Sequence, residues 1–254
     1  MTDDTNPERG SSAGPVRLAD LSWREANEHF RRDPRLLVPV GTLLQHGPHL
    51  PLSTDAVIVT RLAERLSQEY GVVLAPTLPY GVGSETEQAY AGSGCLRGKT
   101  LHRVLNELVE NWEGQGVEEI YLLTAHGFGA HLQAIGTVVS ARARIRAVDL
   151  HAVDLRAFLD TPHVEEHAGE LETSLLLHLA PDLVHATLVR DAPVEEEELR
   201  RLLVGEEPVP LPGSPGVVGR PSRASADKGR RVFEYLVAFL GERVLENGGG
   251  EHGH

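Results

Sequence analysis

The sequence predicts an α/β fold with a largely parallel sheet covered on both faces. Short apolar runs alternate with segments of helical periodicity over most of the chain. Clusters of His, Asp and Glu follow those runs, and open parallel sheets bind ligands beyond the carboxyl ends of their strands. The 254 residues suit one large domain.

Taken in order, residues 35–41 form an apolar run closed by Pro39 and Gly41, which predicts a buried first strand. Residues 55–70 carry Ala56, Val57, Val59, Leu62, Ala63 and Leu66 at spacings of three to four, a helix. GVVLAP at 71–76 predicts a second strand, and 100–112 a helix with Leu101, Val104, Leu105 and Leu108 on one stripe. EIYLLT at 119–124 predicts a third strand, 129–141 a helix and 145–150 a fourth strand. Helices are predicted again over 169–179 and 226–244. Residues 194–223 begin acidic and turn rich in Pro and Gly, as a loop with one short helix would. The expected organisation is a disordered lead-in at 1–16, one α/β domain at 17–245 and a flexible tail at 246–254.

Hydrophobic residues make up 41% of the chain, enough to fill a core at this length. Lys and Arg number 24 against 37 Asp and Glu, a net charge of −13. That balance argues against a nucleic-acid backbone as partner. The single cysteine, Cys95, permits no intramolecular disulfide and fits a reducing compartment. No apolar run approaches the roughly 20 residues of a membrane span, and the acidic start lacks the pattern of a signal peptide. The expectation is a cytoplasmic protein without a membrane partner.

Three polar segments fall where a sheet of this kind places its chemistry. GTLLQHGPHLPLSTD (41–55) follows the first strand, AHGFGAH (125–131) the third, and EEHAGELETS (165–174) opens a helix. Imidazole and carboxylate are natural ligands for zinc, manganese or iron, and a second His or Glu nearby can move protons. Each residue also has a plainer reading. A lone loop His is more often hydrogen-bonded than ligating. Asp55 starts a helix and would serve as a cap. Glu172 sits in a first turn, where the helix dipole favours any carboxylate.

These segments resemble the creatininase (creatinine amidohydrolase) family. PVGTLLQHGPHLPLSTD (39–55) is similar to the family's PVGSxEQHGPHLPLxTD. GVGSETEQAYAGS (81–93), LLTAHGFGAH (122–131), HAGELETSLLLHLAPDLV (167–184) and GVVGRPSRASADKG (216–229) follow the family's other motifs in order. The resemblance covers about 18–244. It implies a three-layer α/β/α sandwich, often a hexamer. It also implies two divalent metals, typically zinc or manganese and in some members iron, and hydrolysis of amide-type C–N bonds in a small-molecule substrate. Carried over by motif, His46, Asp55 and His126 are the expected metal ligands, with Asp55 bridging. His167 is the expected proton shuttle, and Glu172 a second catalytic residue beside the metals.

The chain departs from the pattern at the site itself. Leu44 stands where the family has a ligating glutamate, Phe128 where some members have another, and Gly129 replaces the Asn of HGGN. Thr124, Gln88 and Ala91 stand for the family's Asn, His and Pro. Two readings follow: an amidohydrolase with an altered metal site, or a catalytically silent member that binds a ligand or supports an oligomer. Phosphoester hydrolysis ranks below both, because no phosphate-cradling motif is visible. His49 and His131 are candidate substitute ligands, His151 and Asp154 candidate pocket-rim residues, and Cys95 a small buried residue.

Overall fold

The computed structural model describes residues 14–160, 167–193 and 215–246. The expectations for the first 13 residues, for most of 194–223 and for the tail past 246 fall outside them. Four strands, β1 (Arg35–Pro39), β2 (Val73–Leu74), β3 (Glu119–Thr124) and β4 (Arg144–Asp149), form a parallel sheet in the order β2-β1-β3-β4. The two central strands pair from Arg35 beside Glu119 to Pro39 beside Leu123.

Side chains alternate across a strand, and here both sets are apolar. Leu37, Tyr121 and Leu123 pack on one face against α2 (Thr54–Tyr70), α6 (Glu170–Leu179) and α7 (Ala226–Leu240), through residues such as Leu62, Leu176 and Leu236. Leu36, Val38, Ile120 and Leu122 pack on the other against α1 (Trp23–Arg32), α4 (Gly98–Gly114) and α5 (Gly129–Gly136), through Phe30, Leu105 and Ile135. The result is three layers, helix on sheet on helix. Among the described residues no helix is long and apolar enough to cross a membrane.

The elements differ from the sequence reading mainly at their ends. The second strand keeps only Val73 and Leu74, the residues that pair with β1, and Pro76 has no N–H to extend the ladder. The helix at Gly129 stops at Gly136, where Gly136, Thr137, Val138 and Val139 are poor helix formers. The last helix changes to a wider turn at Gly241, whose position leaves no room for a Cβ beside the Tyr70 hydroxyl. Helix α1 and the short α3 (Glu85–Gln88) were not anticipated.

Helices α6 and α7 pack backbone against backbone. A Cβ on Gly229 would lie 1.8 Å from the backbone oxygen of Ser174. Beside it, Lys228 donates to Asp160 and to the fully buried Glu170. Gly229→Ala is therefore expected to force the helices apart and to cost about 1–3 kcal/mol. A thermal unfolding curve checks this, with an expected drop of several degrees.

Candidate metal centre

The loop after β1 turns back on itself at once. A Cβ on Gly41 would sit 2.5 Å from the Cα of Ala56, so only glycine lets the loop lie against the start of α2. This contact sets Thr42 beside Asp55, and the Thr42 hydroxyl donates to Asp55 Oδ2. Asp55 does not act as a helix cap. The capping position is Ser53, and the fully buried Asp55 side chain points to two histidines.

His46 Nδ1 lies 3.0 Å from the Leu44 carbonyl, which can only accept, so this nitrogen carries a hydrogen. Its other nitrogen, Nε2, lies 3.2 Å from Asp55 Oδ1 and 3.7 Å from Glu172 Oε1. His126 repeats the arrangement from the loop after β3. Its Nε2 donates to the Val82 carbonyl at 3.0 Å, and its Nδ1 lies 3.2 Å from Asp55 Oδ2. Each ring thus presents its second nitrogen to a carboxylate. A bare lone pair there would face another lone pair, so each gap calls for a cation, either a proton or a metal ion.

The electrostatics agree. Burial would depress His46, but Asp55 and then Glu172 raise it to about 10. His126 is raised against burial, chiefly by Asp55 and then by Glu87. Asp55 is held well below the usual carboxylate range despite its burial, by His46 and His126. Glu172 is pushed up by burial.

The third segment supplies His167 and Glu172. His167 is held as a two-way backbone bridge to Val218, from the glycine-rich late segment. The His46 and His167 rings have centroids 4.6 Å apart. Burial and the charge of His46 lower His167 to about 3. Its Nε2 lies 2.8 Å from the Gln45 side-chain amide nitrogen and 3.0 Å from the Gln45 backbone oxygen. Gln45 Oε1 accepts from the Gly47 N–H, which fixes the amide so that its NH₂ faces His167. Between them, His167 and Glu172 flank Ala168, a non-glycine residue at φ 52°. That conformation costs of order 1 kcal/mol, and it directs the Ala168 N–H to Glu172 Oε2 at 2.5 Å.

The five residues singled out from the sequence form one continuous cluster. Asp55 bridges His46 and His126, while His46, His167 and Glu172 each offer a ligand atom within 4.8 Å of the others. His167 and Glu172, expected in catalytic roles, therefore stand within ligating range of His46 as well.

The remaining candidates separate clearly. His131 turns inwards, but its Nδ1 accepts from the Val82 N–H and its Nε2 donates to Thr124, so both nitrogens are used. Burial, then His126, lowers it to about 3. His49 is buried against the Thr173 hydroxyl, and its Nδ1 has no partner among the described residues. Asp154 is exposed and pairs with Arg156. His151 donates to the Ala125 carbonyl at 2.8 Å. Cys95 is only half-buried.

Sequence reasoning did not single out Thr42, Gln45 or Glu87. Glu87 is buried and forms a reciprocal cap with Ser84, a signal visible as Ser-x-x-Glu. Leu44 is fully buried, and a Cβ on Gly83 would meet its side chain and the Cys95 sulfur. The Phe128 ring centroid lies 6.2 Å from that of His126.

Comparison with known proteins adds a lineage. The creatininase profile, described as creatinine amidohydrolase, matches residues 19–244. A mycofactocin precursor peptide peptidase of Mycobacterium ulcerans is 34% identical over 243 residues, covering 89% of this chain and 91% of that protein. A creatinine amidohydrolase of Pseudomonas putida is 26% identical over 253 residues, covering 91% of this chain and 96% of that protein. Among solved structures, a manganese creatininase superposes with a TM-score of 0.76 at 22% identity, covering 92% of this chain and 98% of that one.

Proposed function

The chain belongs to the creatininase family, and on that premise we propose that it is a metal-dependent amidohydrolase with an altered metal site. Its substrate is a small cyclic or linear amide, cleaved at a C–N bond. The observation that carries this reading is the pair of imidazole nitrogens aimed from opposite sides at Asp55, each needing a cation to face a carboxylate. The names of two relatives, a peptide peptidase and a creatinine amidohydrolase, suit the same bond class.

His46, Asp55 and Glu172 would hold one divalent ion, while the second gap, between His126 Nδ1 and the other oxygen of Asp55, would be closed by a proton on His126. Zinc, manganese or iron bound there supplies Lewis acidity toward an amide carbonyl and toward water. His167 moves the proton to the leaving nitrogen. Its Nε2 has a donor and an acceptor from Gln45 both within bonding distance, so either protonation state is met without the ring moving. Glu172 keeps one oxygen on the Ala168 N–H and turns the other to His46, which orients it toward the reacting centre.

The alteration lies at Leu44, fully buried against Gly83, and at Phe128, whose ring lies beside His126, while Glu87 spends Oε2 on the Ser84 N–H. One ion, rather than the family's two, is the proposed complement. The family likeness extends the proposal to a homo-oligomer, a hexamer.

Metal content and turnover on a panel of cyclic and linear amides test the reading, using wild type and Leu44→Glu. Wild type is expected to hold one equivalent and to hydrolyse at least one amide. Leu44→Glu adds a ligand and a negative charge, and is expected to raise the stoichiometry towards two. Unchanged metal content in Leu44→Glu overturns the altered-site account. A wild type that hydrolyses nothing with zinc, manganese or iron favours the silent, ligand-binding role.

A further inference from the structure

The cluster draws on two separate pieces of chain. His46 and Asp55 come from the loop after β1 and the start of α2, whereas His167 and Glu172 come from the entry to α6. One further side chain joins these pieces without belonging to the cluster. His49 is fully buried and reaches from the β1 loop to α6, where its Nε2 lies 3.0 Å from the Thr173 hydroxyl. Its own carbonyl accepts from the His185 N–H at 2.8 Å, so the ring starts from an anchored backbone. Gly47, at φ 66°, closes over the ring. A Cβ there would lie 3.2 Å from His49 Nδ1 and 2.6 Å from Val217.

For packing alone this ring is a poor choice. Burial, and then His46, lowers it to about 4, and Nδ1 has no partner among the described residues. An aliphatic side chain would fill the space without leaving a buried nitrogen unpaired. The Ala168 carbonyl works against that lowering, by favouring a proton on the ring. Ala168 is itself fully buried, and among the described residues it is the one non-glycine residue at positive φ. Its N–H meets Glu172 Oε2, while Glu172 Oε1 faces His46 Nε2. We propose that His49 is a positioning residue that holds Ala168 in this left-handed conformation and so sets the gap in which His46 and Glu172 would share an ion. The assignment rests on the metal-site reading for that ion, though not for the hold on Ala168. An alanine released from the ring would relax to negative φ, and its N–H would leave the Glu172 carboxylate. Glycine adopts positive φ without a steric penalty and would keep the conformation with no ring to hold it.

The test compares full-length wild type, His49→Leu, Ala168→Gly and the double variant. Two quantities are read: zinc affinity against a competing chelator, and hydrogen exchange at the amide of residue 168. His49→Leu is expected to bind zinc about 10–100-fold more weakly, the range for groups that orient a ligand. Its residue-168 amide should exchange about tenfold faster or more, as a local opening there becomes easier. The thermal midpoint should stay near that of wild type, because the unpaired nitrogen is gone and the Thr173 hydroxyl can turn to the carbonyl four residues back. Adding Ala168→Gly should return both readings to near wild type, which a glycine could not do for lost packing. Exchange at residue 168 unchanged in His49→Leu, or a loss that glycine does not restore, overturns the assignment. If His49→Leu does not fold, His49→Met, which adapts to irregular space, carries the same comparison. A wild type that binds no zinc removes the metal-site reading alone, and faster exchange in His49→Leu, restored by glycine, still upholds the hold on Ala168. Zinc binding with exchange indifferent to His49 keeps the metal site and removes the hold.

Discussion

Asp55→Ala is expected to abolish metal retention and turnover together. Among the described residues Asp55 is the one side chain that pairs with both imidazole arms of the cluster, at 3.2 Å on each oxygen. On the proposed reading its removal takes away a ligand and the negative charge that offsets the ion, and it removes the acceptor of the Thr42 hydroxyl. Loss of residues that merely support a ligand lowers metal affinity about 10–100-fold, so removal of the central carboxylate should exceed that range. His46 and His126 would also lose their principal counter-charge, and breaking a buried pair in this way costs about 3–5 kcal/mol. Elemental analysis after gel filtration reads the metal. Thermal unfolding with and without added zinc gives an independent measure, because an ion that binds only the folded state raises the midpoint. Wild type should show that rise and Asp55→Ala should not. A variant that kept its equivalent of metal would place the ion away from Asp55.

His167→Gln is expected to separate the two losses. Turnover should fall about 10²–10⁴-fold, the usual contribution of a positioned acid or base, while metal content stays near that of wild type. Glutamine preserves the size and hydrogen-bonding capacity at Gln45 but cannot take up and release a proton. Because His167 also lies within ligating range of His46 and Glu172, the metal measurement decides its part. Loss of the ion along with the activity would make His167 a ligand and leave the proton step to another group.

The central strands were legible because their chemistry is redundant. Leu36, Leu37 and Val38 are apolar whichever way they point, and the sheet buries both faces. Helix α1 was not, since Phe30 is its only buried residue and, Trp23 and Ala26 apart, the other seven of its ten residues are polar or charged. Its Ser22–Glu25 cap was written in the sequence, as was the Ser84–Glu87 cap of α3. At the site, the motifs named His46, Asp55, His126, His167 and Glu172. The groups that hold them in place were hidden by chain separation. Gln45 meets His167 across 122 residues, and His49 meets Thr173 across 124. No local spacing encodes such pairs. His131 showed the opposite problem, since its neighbourhood suggested a ligand although both its nitrogens bond within the fold.

The burial of the cluster bears on time as well as affinity. His46 and Asp55 have no exposed surface, and Asp55 is fixed in the first turn of a 17-residue helix. An ion held there, as proposed, would enter or leave only through a local opening of the fold with its own free energy. Exchange would then be set by how often that opening occurs, and a tighter chelator in solution would not hasten it. The ion carried by a purified preparation would accordingly record what was abundant when the chain folded. Growth medium, more than dialysis buffer, would determine it.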